Sequence, residues 1–377
     1  MKTVIGKYLE MTEPSKFRLL ENPPPGTVDG HVHLGTYLNF PLLVGFNLTG
    51  PGGYRENLLY HIGQLWKYKK HIYNEIPANF SNALEGIFDV APIKTDLRGS
   101  YGCPDPNYLL TSIPSLLDID KPSYISLSGV SAFGLLSNLL QTILKFPTSL
   151  RQANATNLVS YLDNFAIQTA VVLPIETGKF TRFTEATLEV CKDYRNFIPF
   201  CSVHPHHPEA EDNVKKYCSN GALGFKFHPD FQSIPPDSSD ALFLFELCRA
   251  NKLPVQCHVG WPVKGVGLSQ PSRYTKAISY FKDVNFILCH IGLSEFEETI
   301  DLACSFPNIY LETSGQTVDT IKKASEKIGA DRIIFGTDWP LYHPAIPISR
   351  VLEAFPKDDD REKVFRKNIK TLLGLKD

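Results

Sequence analysis

From residue 165 onward, short apolar runs alternate with longer amphipathic stretches. The runs are Thr169–Leu173, Phe197–Val203, Leu223–Phe227, Pro254–His258, Asn285–His290, Ile309–Thr313 and Arg332–Gly336. Between them lie helix candidates at Phe183–Tyr194, Ala210–Ser219, Asp240–Asn251, Ser294–Ser305, Val318–Ile328 and Ile348–Phe355. Strand-then-helix alternation predicts a parallel sheet covered by helices. Thr27–Leu34 supplies an eighth strand, and eight β/α units are the number that closes a TIM barrel. An open, doubly wound sheet is the alternative, but no Gly-rich phosphate loop follows the first strand.

One interval breaks the rhythm. The barrel is expected from 1–35 and 165–377, with a large, mostly helical insertion at 36–164 after strand one. Leu58, Ile62, Leu65 and Trp66 follow helical spacing there, and Gly/Pro-rich turns occur at 50–53 and 99–104. A segment leaving after strand one emerges at the catalytic face of a barrel. A lid, or a contact that builds a homo-oligomer, is the expected role. Pro122–Leu144 carries no charged residue, but eight of its 23 residues are Ser, Thr, Asn or Gln. It reads as a buried or partner-covered helix rather than a membrane span.

Composition narrows the class. With 377 residues, 43% of them hydrophobic, the chain can fill a barrel core with additions to spare. A net charge of -2 without acidic or basic blocks argues against a nucleic-acid surface. Eight cysteines show no CxxC spacing, and the first residues lack a secretory apolar region. Reduced thiols in a cytoplasmic protein are the expectation.

The histidines carry the chemistry. Of eleven, His31 and His33 end strand one, His204 ends strand three, with His206 and His207 just beyond, and His228, His258 and His290 end strands four, five and six. Asp338 follows strand eight, and His343, just past it, is expected on a surface loop. Reactive residues of TIM barrels come from the C-terminal ends of several strands. Residues i and i+2 of a strand share a face, so His31 and His33 aim at one point. Two imidazoles, a further histidine and a carboxylate make an N/O site suited to zinc or a similar divalent ion, with a position left open for water.

The motifs Asp29-Gly30-His31-Val32-His33-Leu34, Gly224-Phe225-Lys226-Phe227-His228-Pro229, Gln256-Cys257-His258-Val259-Gly260, Cys289-His290-Ile291-Gly292 and Phe335-Gly336-Thr337-Asp338-Trp339-Pro340 stand in that order. They resemble the amidohydrolase superfamily, and within it the amidohydrolase-related branch of aminocarboxymuconate-semialdehyde decarboxylase-like proteins. The resemblance covers 27–35 and 165–375. It implies a TIM barrel and a divalent metal, most simply one zinc, acting on a small-molecule carbonyl substrate. By that pattern His31, His33 and His258 are metal ligands, and Asp338 binds the metal and shuttles a proton. His290 polarises the substrate carbonyl in a one-metal site and becomes a ligand in a two-metal site. Lys226 occupies the place where binuclear relatives carry a carbamylated lysine; one ion with unmodified Lys226 is expected here, two ions with the carbamate being the alternative. Lys226, His228, His204, Trp261 and Arg273 are candidates for substrate or second-metal contact, against ordinary roles as hydrogen-bonded supports, rim aromatics or solvated charge. The expected activity is hydrolysis, metal-activated water attacking an amide, ester or lactone-like carbonyl. Decarboxylation of a small carboxylic acid is the alternative, and a non-catalytic binding barrel the third reading.

Overall fold

The structure, a computed structural model, describes residues 3–13, 16–34, 153–176, 178, 181–260, 265 and 267–376. The expectations for residues 36–152, and for Trp261, lie outside the described residues.

The chain opens with an antiparallel meander, β1 (Thr3–Ile5), β2 (Leu9–Glu13) and β3 (Lys16–Leu19). The barrel reading does not anticipate it, although Phe17, Arg18 and Leu19 alternate as a half-buried strand does. Leu9 joins Ala345 and Ile346 in a small cluster with Phe17, Leu19 and Phe165. Arg361 fastens the meander further, reaching Tyr8 Oη at 2.9 Å and Glu21 Oε1 at 2.6 Å.

Eight parallel strands follow: β4 (Val28–Val32), β5 (Thr169–Val172), β6 (Phe197–Pro199), β7 (Phe225–Phe227), β8 (Val255–Cys257), β9 (Phe286–Leu288), β10 (Ile309–Glu312) and β11 (Ile333–Ile334). They pair as β4-β5-β6 and β7-β8-β9-β10-β11. Parallel bridges Cys201–Phe225 and Val32–Trp339 join the two groups at both edges. The ring is therefore a closed (β/α)8 barrel, as the alternation predicts, and the open sheet is excluded. Gly30 makes the second joint possible. Its N–H donates to Phe335 O at 3.0 Å, and a Cβ at Gly30 would sit 2.9 Å from that same oxygen.

The helices between strands are α1 (Ala155–Asn164), α2 (Phe183–Cys191), α3 (Ala210–Ser219), α4 (Ser239–Ala250), α5 (Pro271–Tyr280), α6 (Phe296–Ser305), α7 (Val318–Ile328) and α8 (Ala345–Ala354). Their apolar faces bury against the strands in one cluster that includes Phe225, Phe227, Phe245, Phe286 and Ile348. Val28, Val171, Ile198, Phe200, Ile287 and Ile334 form a second cluster, joined by Ile369 of the short helix Asn368–Leu372 and by Leu373 just after it. Helix α1 falls within the stretch assigned by sequence to the insertion. Asn154 caps it by accepting from Asn157 N at 2.9 Å, and its Leu158, Tyr161 and Leu162 are buried in the main cluster. Among the described residues, no helix is long and apolar enough to cross a membrane.

Candidate active site

Three of the expected ligands converge at the end of β4. His31 Nε2 and His33 Nε2 lie 3.1 Å apart, and Asp338 Oδ1 is 3.4 Å from each. The hydrogen bonds behind the rings decide what these atoms are. His33 Nδ1 lies 2.7 Å from Leu173 O, a carbonyl that can only accept, so the ring proton is on Nδ1. His31 Nδ1 lies 2.9 Å from Glu312 Oε2 and donates to it in the same way. Both Nε2 atoms therefore present lone pairs, and a carboxylate oxygen faces them. Two imidazole lone pairs and a carboxyl oxygen converging at this spacing in a buried pocket suit a cation placed between them. Two ligands about 2.1 Å from an ion, at roughly 90–109° to each other, are about 3.0–3.4 Å apart, the spacing found here. The donor set fits a divalent ion, and each imidazole is backed by a carboxylate or a carbonyl, as metal-bound histidines are.

His290 and His258 stand next to this pocket. Ser314 Oγ donates to Glu312 Oε2 at 2.8 Å, so it accepts from His290 Nδ1, also at 2.8 Å. His290 Nε2 then accepts from His258 Nδ1 at 3.2 Å, which leaves His258 Nε2 as a lone-pair donor. That tautomer suits a ligand. His258 is linked to the His31–His33–Asp338 group through His290, whose ring centroid is 5.1 Å from that of His31. Asp338 Oδ2 lies 4.0 Å from His290 Nδ1, so one carboxylate faces the metal pocket with one oxygen and His290 with the other.

Burial sets the charges. It holds the imidazoles of His31, His33 and His258 well below the ordinary 6.5, with neighbouring histidines and Lys226 adding to the effect. It takes His290 down to about 4, with Glu312 pulling the other way. It pushes Asp338 well above 3.8 despite the opposing Lys226 ammonium. All of these side chains are at most 8% exposed.

The backbone is bent to bring these groups together. His290 (φ 60°) and Asp338 (φ 57°) both sit in the left-handed region, as do Ile291 and Leu293. Gly336 lies under the pocket, where a Cβ would strike the Glu312 carboxylate and come 2.8 Å from His31 Cβ.

The remaining candidates separate. Lys226 is buried in the site, Nζ 3.4 Å from both His31 Nε2 and Cys289 Sγ. His228 stacks on His258 with centroids 3.9 Å apart. His204 lies behind it, Nε2 3.3 Å from Gln232 O. Arg273 is partly exposed and pairs with Asp237 at 3.8 Å, on the rim rather than among the ligands. His343 is not on the surface: it is 2% exposed, with Phe17 and Phe165 set edge-on to its ring. The apolar residues of the meander and of α1 cover it, which the local sequence does not reveal.

Sequence reasoning missed Glu312, the carboxylate that orients His31 and receives the His290 N–H at 3.2 Å. A lone acid ending the apolar run Ile309-Tyr310-Leu311-Glu312 was the available signal. Asp29 was quoted only as part of a motif. Its carboxylate accepts from His31 N at 3.0 Å, Thr337 N at 2.9 Å and Tyr161 Oη at 2.6 Å, so it ties β4, the Asp338 turn and α1 together.

The amidohydrolase family model matches residues 153–375, more than half the chain. The chain belongs to the amidohydrolase family. Solved structures share the amidohydrolase barrel at low identity. A TIM-barrel protein of Bordetella bronchiseptica is 20% identical, with TM-score 0.52 over 60% of this chain and 85% of its own. The 2,6-dihydroxybenzoate decarboxylase of Rhizobium is 17% identical, with TM-score 0.51 over 61% and 92%. A dihydroxybenzoic acid decarboxylase of Polaromonas sp., solved with manganese and 2-nitroresorcinol, is 17% identical, with TM-score 0.51 over 65% and 94%. No curated protein matches this amidohydrolase in sequence.

Proposed function

We propose that this amidohydrolase is a metal-dependent decarboxylase of a small carboxylic acid. The observation that carries the metal dependence is the meeting of three buried ligand atoms, His31 Nε2, His33 Nε2 and Asp338 Oδ1, at 3.1–3.4 Å. Support for decarboxylation over the expected hydrolysis comes from the fold neighbours, whose names describe the loss of CO2 from hydroxylated benzoates.

A bound divalent ion, held by His31, His33, Asp338 and His258, supplies Lewis-acid polarisation of a substrate oxygen. The reaction converts R–COO⁻ and a proton into R–H and CO2. The C–C bond breaks, its electron pair stays on the substrate carbon, and a proton must arrive there. Asp338 is the donor we assign, with His290, 4.0 Å from its Oδ2, as the next carrier.

Hydrolysis of an ester- or lactone-like carbonyl is the second reading, since Asp338 Oδ2 is equally placed to take a proton from water. Protein loaded with manganese or with zinc should release CO2 from a panel of hydroxybenzoates, and lose that activity on chelation. Ester or lactone cleavage without CO2 release would install the hydrolase instead. We propose one ion per chain, manganese or zinc, and an unmodified Lys226. Two equivalents by elemental analysis, with a carbamate mass on Lys226, would overturn that. For the insertion we propose a lid or a homo-oligomer contact; a monomer whose turnover survives its excision would refute both.

A further inference from the structure

His228 ends β7 inside the site, and nothing in the mechanism above uses it. Its ring is fixed on every side. Phe231 stacks on it at 3.7 Å and 8°, and His258 at 3.9 Å and 8°. Two rings parallel to the same imidazole at those spacings must lie on opposite faces, so His228 is the middle of a three-ring stack. Its backbone N–H donates to Gln232 Oε1 at 2.9 Å, and Gln232 Nε2 in turn donates to Val203 O at 3.0 Å. The ring can neither flip nor slide without breaking this frame.

The frame also fixes the tautomer. His228 caps the short helix Pro229–Gln232: its Nδ1 accepts from Phe231 N at 3.3 Å. A nitrogen that accepts carries no proton, so the ring proton is on Nε2. His228 is thus the opposite of His31, His33 and His258, whose Nε2 atoms present lone pairs. It lies close to Asp230 and His258 in a group that resembles a second metal site by composition. The cap bond argues against that use, because ligation through Nε2 would require the proton on Nδ1, where Phe231 N–H already points.

The geometry points to His228 Nε2–H as the neutral hydrogen-bond donor that holds the substrate's scissile carboxylate beside the metal pocket, and not as a metal ligand. This rests on the decarboxylase reading for the identity of the departing group. The choice of a neutral donor has a physical reason. The carboxylate loses its charge as CO2 forms, so a cation gripping it stabilises the bound substrate more than the transition state. A neutral N–H orients the same group and gives up less when it leaves.

The tests use the full-length, metal-loaded protein. His228→Phe keeps a ring in the stack and removes the donor, while His228→Gln returns an N–H near the position of Nε2. We expect calorimetric affinity for 2-hydroxybenzoate to fall about tenfold in His228→Phe, the size of one hydrogen bond, and to recover in part in His228→Gln. Phenol, which lacks the carboxylate, should bind all three proteins alike, and metal content should not change. Nitrogen-15 shifts of labelled histidine should place the His228 proton on Nε2. Loss of metal in His228→Phe would make the residue a ligand and overturn the inference. So would an unchanged 2-hydroxybenzoate affinity, an equal loss for phenol, no binding of 2-hydroxybenzoate to the parent protein, or a proton on Nδ1. The two readings fail separately. Affinity that depends on His228 without CO2 release from any acid would leave a carboxylate site and remove the decarboxylase. CO2 release untouched in His228→Phe would do the reverse.

Discussion

Glu312 stands behind the pocket proposed to hold the ion. Its Oε2 receives His31 Nδ1–H, Ser314 Oγ–H and the His290 N–H, so a single oxygen sets two imidazole positions. Glu312→Gln keeps the shape but weakens the acceptor facing His31. Metal affinity should fall about 10–100-fold, measured by competition with a chelator; an affinity within twofold of the parent would show that Glu312 only fills space. The proton count on metal binding is a second prediction at this scale. Burial holds His31 and His33 well below 6.5, so at pH 7 both already lack the proton that a ligand must lose. Burial holds Asp338 well above 3.8, so the metal-free carboxyl favours its proton, and the ion must displace it. Uptake should therefore release about one proton per ion, and affinity should weaken as pH falls. Calorimetry in buffers of different ionisation enthalpy reads this directly, and release of two or more protons would mean that the imidazoles start charged. The strand-end histidines were legible in the sequence because histidine is rare and the strand ends are regular, and the structure brings His31 and His33 together with Asp338. Glu312 was not, because an acid at the end of an apolar strand looks like an ordinary boundary until its partners are seen.

At the scale of elements, the apolar runs gave every strand of the barrel, and the amphipathic stretches gave α2 to α4 and α6 to α8 to within a few residues, while α5 was not anticipated. The runs were read too long, since of the expected Phe197–Val203 the continuous ladder of β6 is Phe197–Pro199, with a single further bridge at Cys201. The remainder, Phe200 to Val203, is buried without forming a ladder, and burial is what an apolar pattern reports. The meander was missed because three short strands in a polar N-terminal stretch lean on α8 and Arg361, which are distant in sequence. Helix α1 connects the far side of the insertion to the metal strand through Tyr161, whose Oη donates to Asp29 at 2.6 Å and whose ring stacks on Trp339. Asp29 is buried, and burial raises it to about 6 even with these donors in place. Tyr161→Phe keeps the stack and removes one donor from a buried carboxylate. It should cost about 1–3 kcal/mol of unfolding free energy in a denaturant titration. A loss below about 0.5 kcal/mol would mean that Asp29 is held well enough by Thr337 and the His31 N–H alone.

Taken as a whole molecule, the barrel is closed by two joints of unequal construction. The β6–β7 joint is backbone pairing around Cys201 and Phe225. The other joins β4 to the chain after β11, through Gly30 N to Phe335 O at 3.0 Å, Asp338 N to His31 O at 2.8 Å and His33 N to Trp339 O at 2.8 Å. His31, His33 and Asp338, the three closest donors to the proposed ion, stand on the two sides of that joint. An ion bound there would therefore crosslink the seam where the barrel's first strand meets its last. Removing the ion takes that crosslink away, so the joint should loosen first. Mass action sets the size of the global effect: at a free metal concentration of about 100 times Kd the ion adds about 2.7 kcal/mol. For a barrel of this size that amounts to a Tm shift of about 5–10 °C. Chelation should lower Tm by that amount, and Asp338→Asn should abolish the dependence on added metal. Hydrogen exchange locates the change. Amides of His33 and Asp338 should exchange faster in the metal-free protein, while those of Val255–Cys257, inside the β7–β8–β9 wall, should keep their protection. Equal loosening of both walls would mean that the ion acts on global stability alone, and that the seam closes without it.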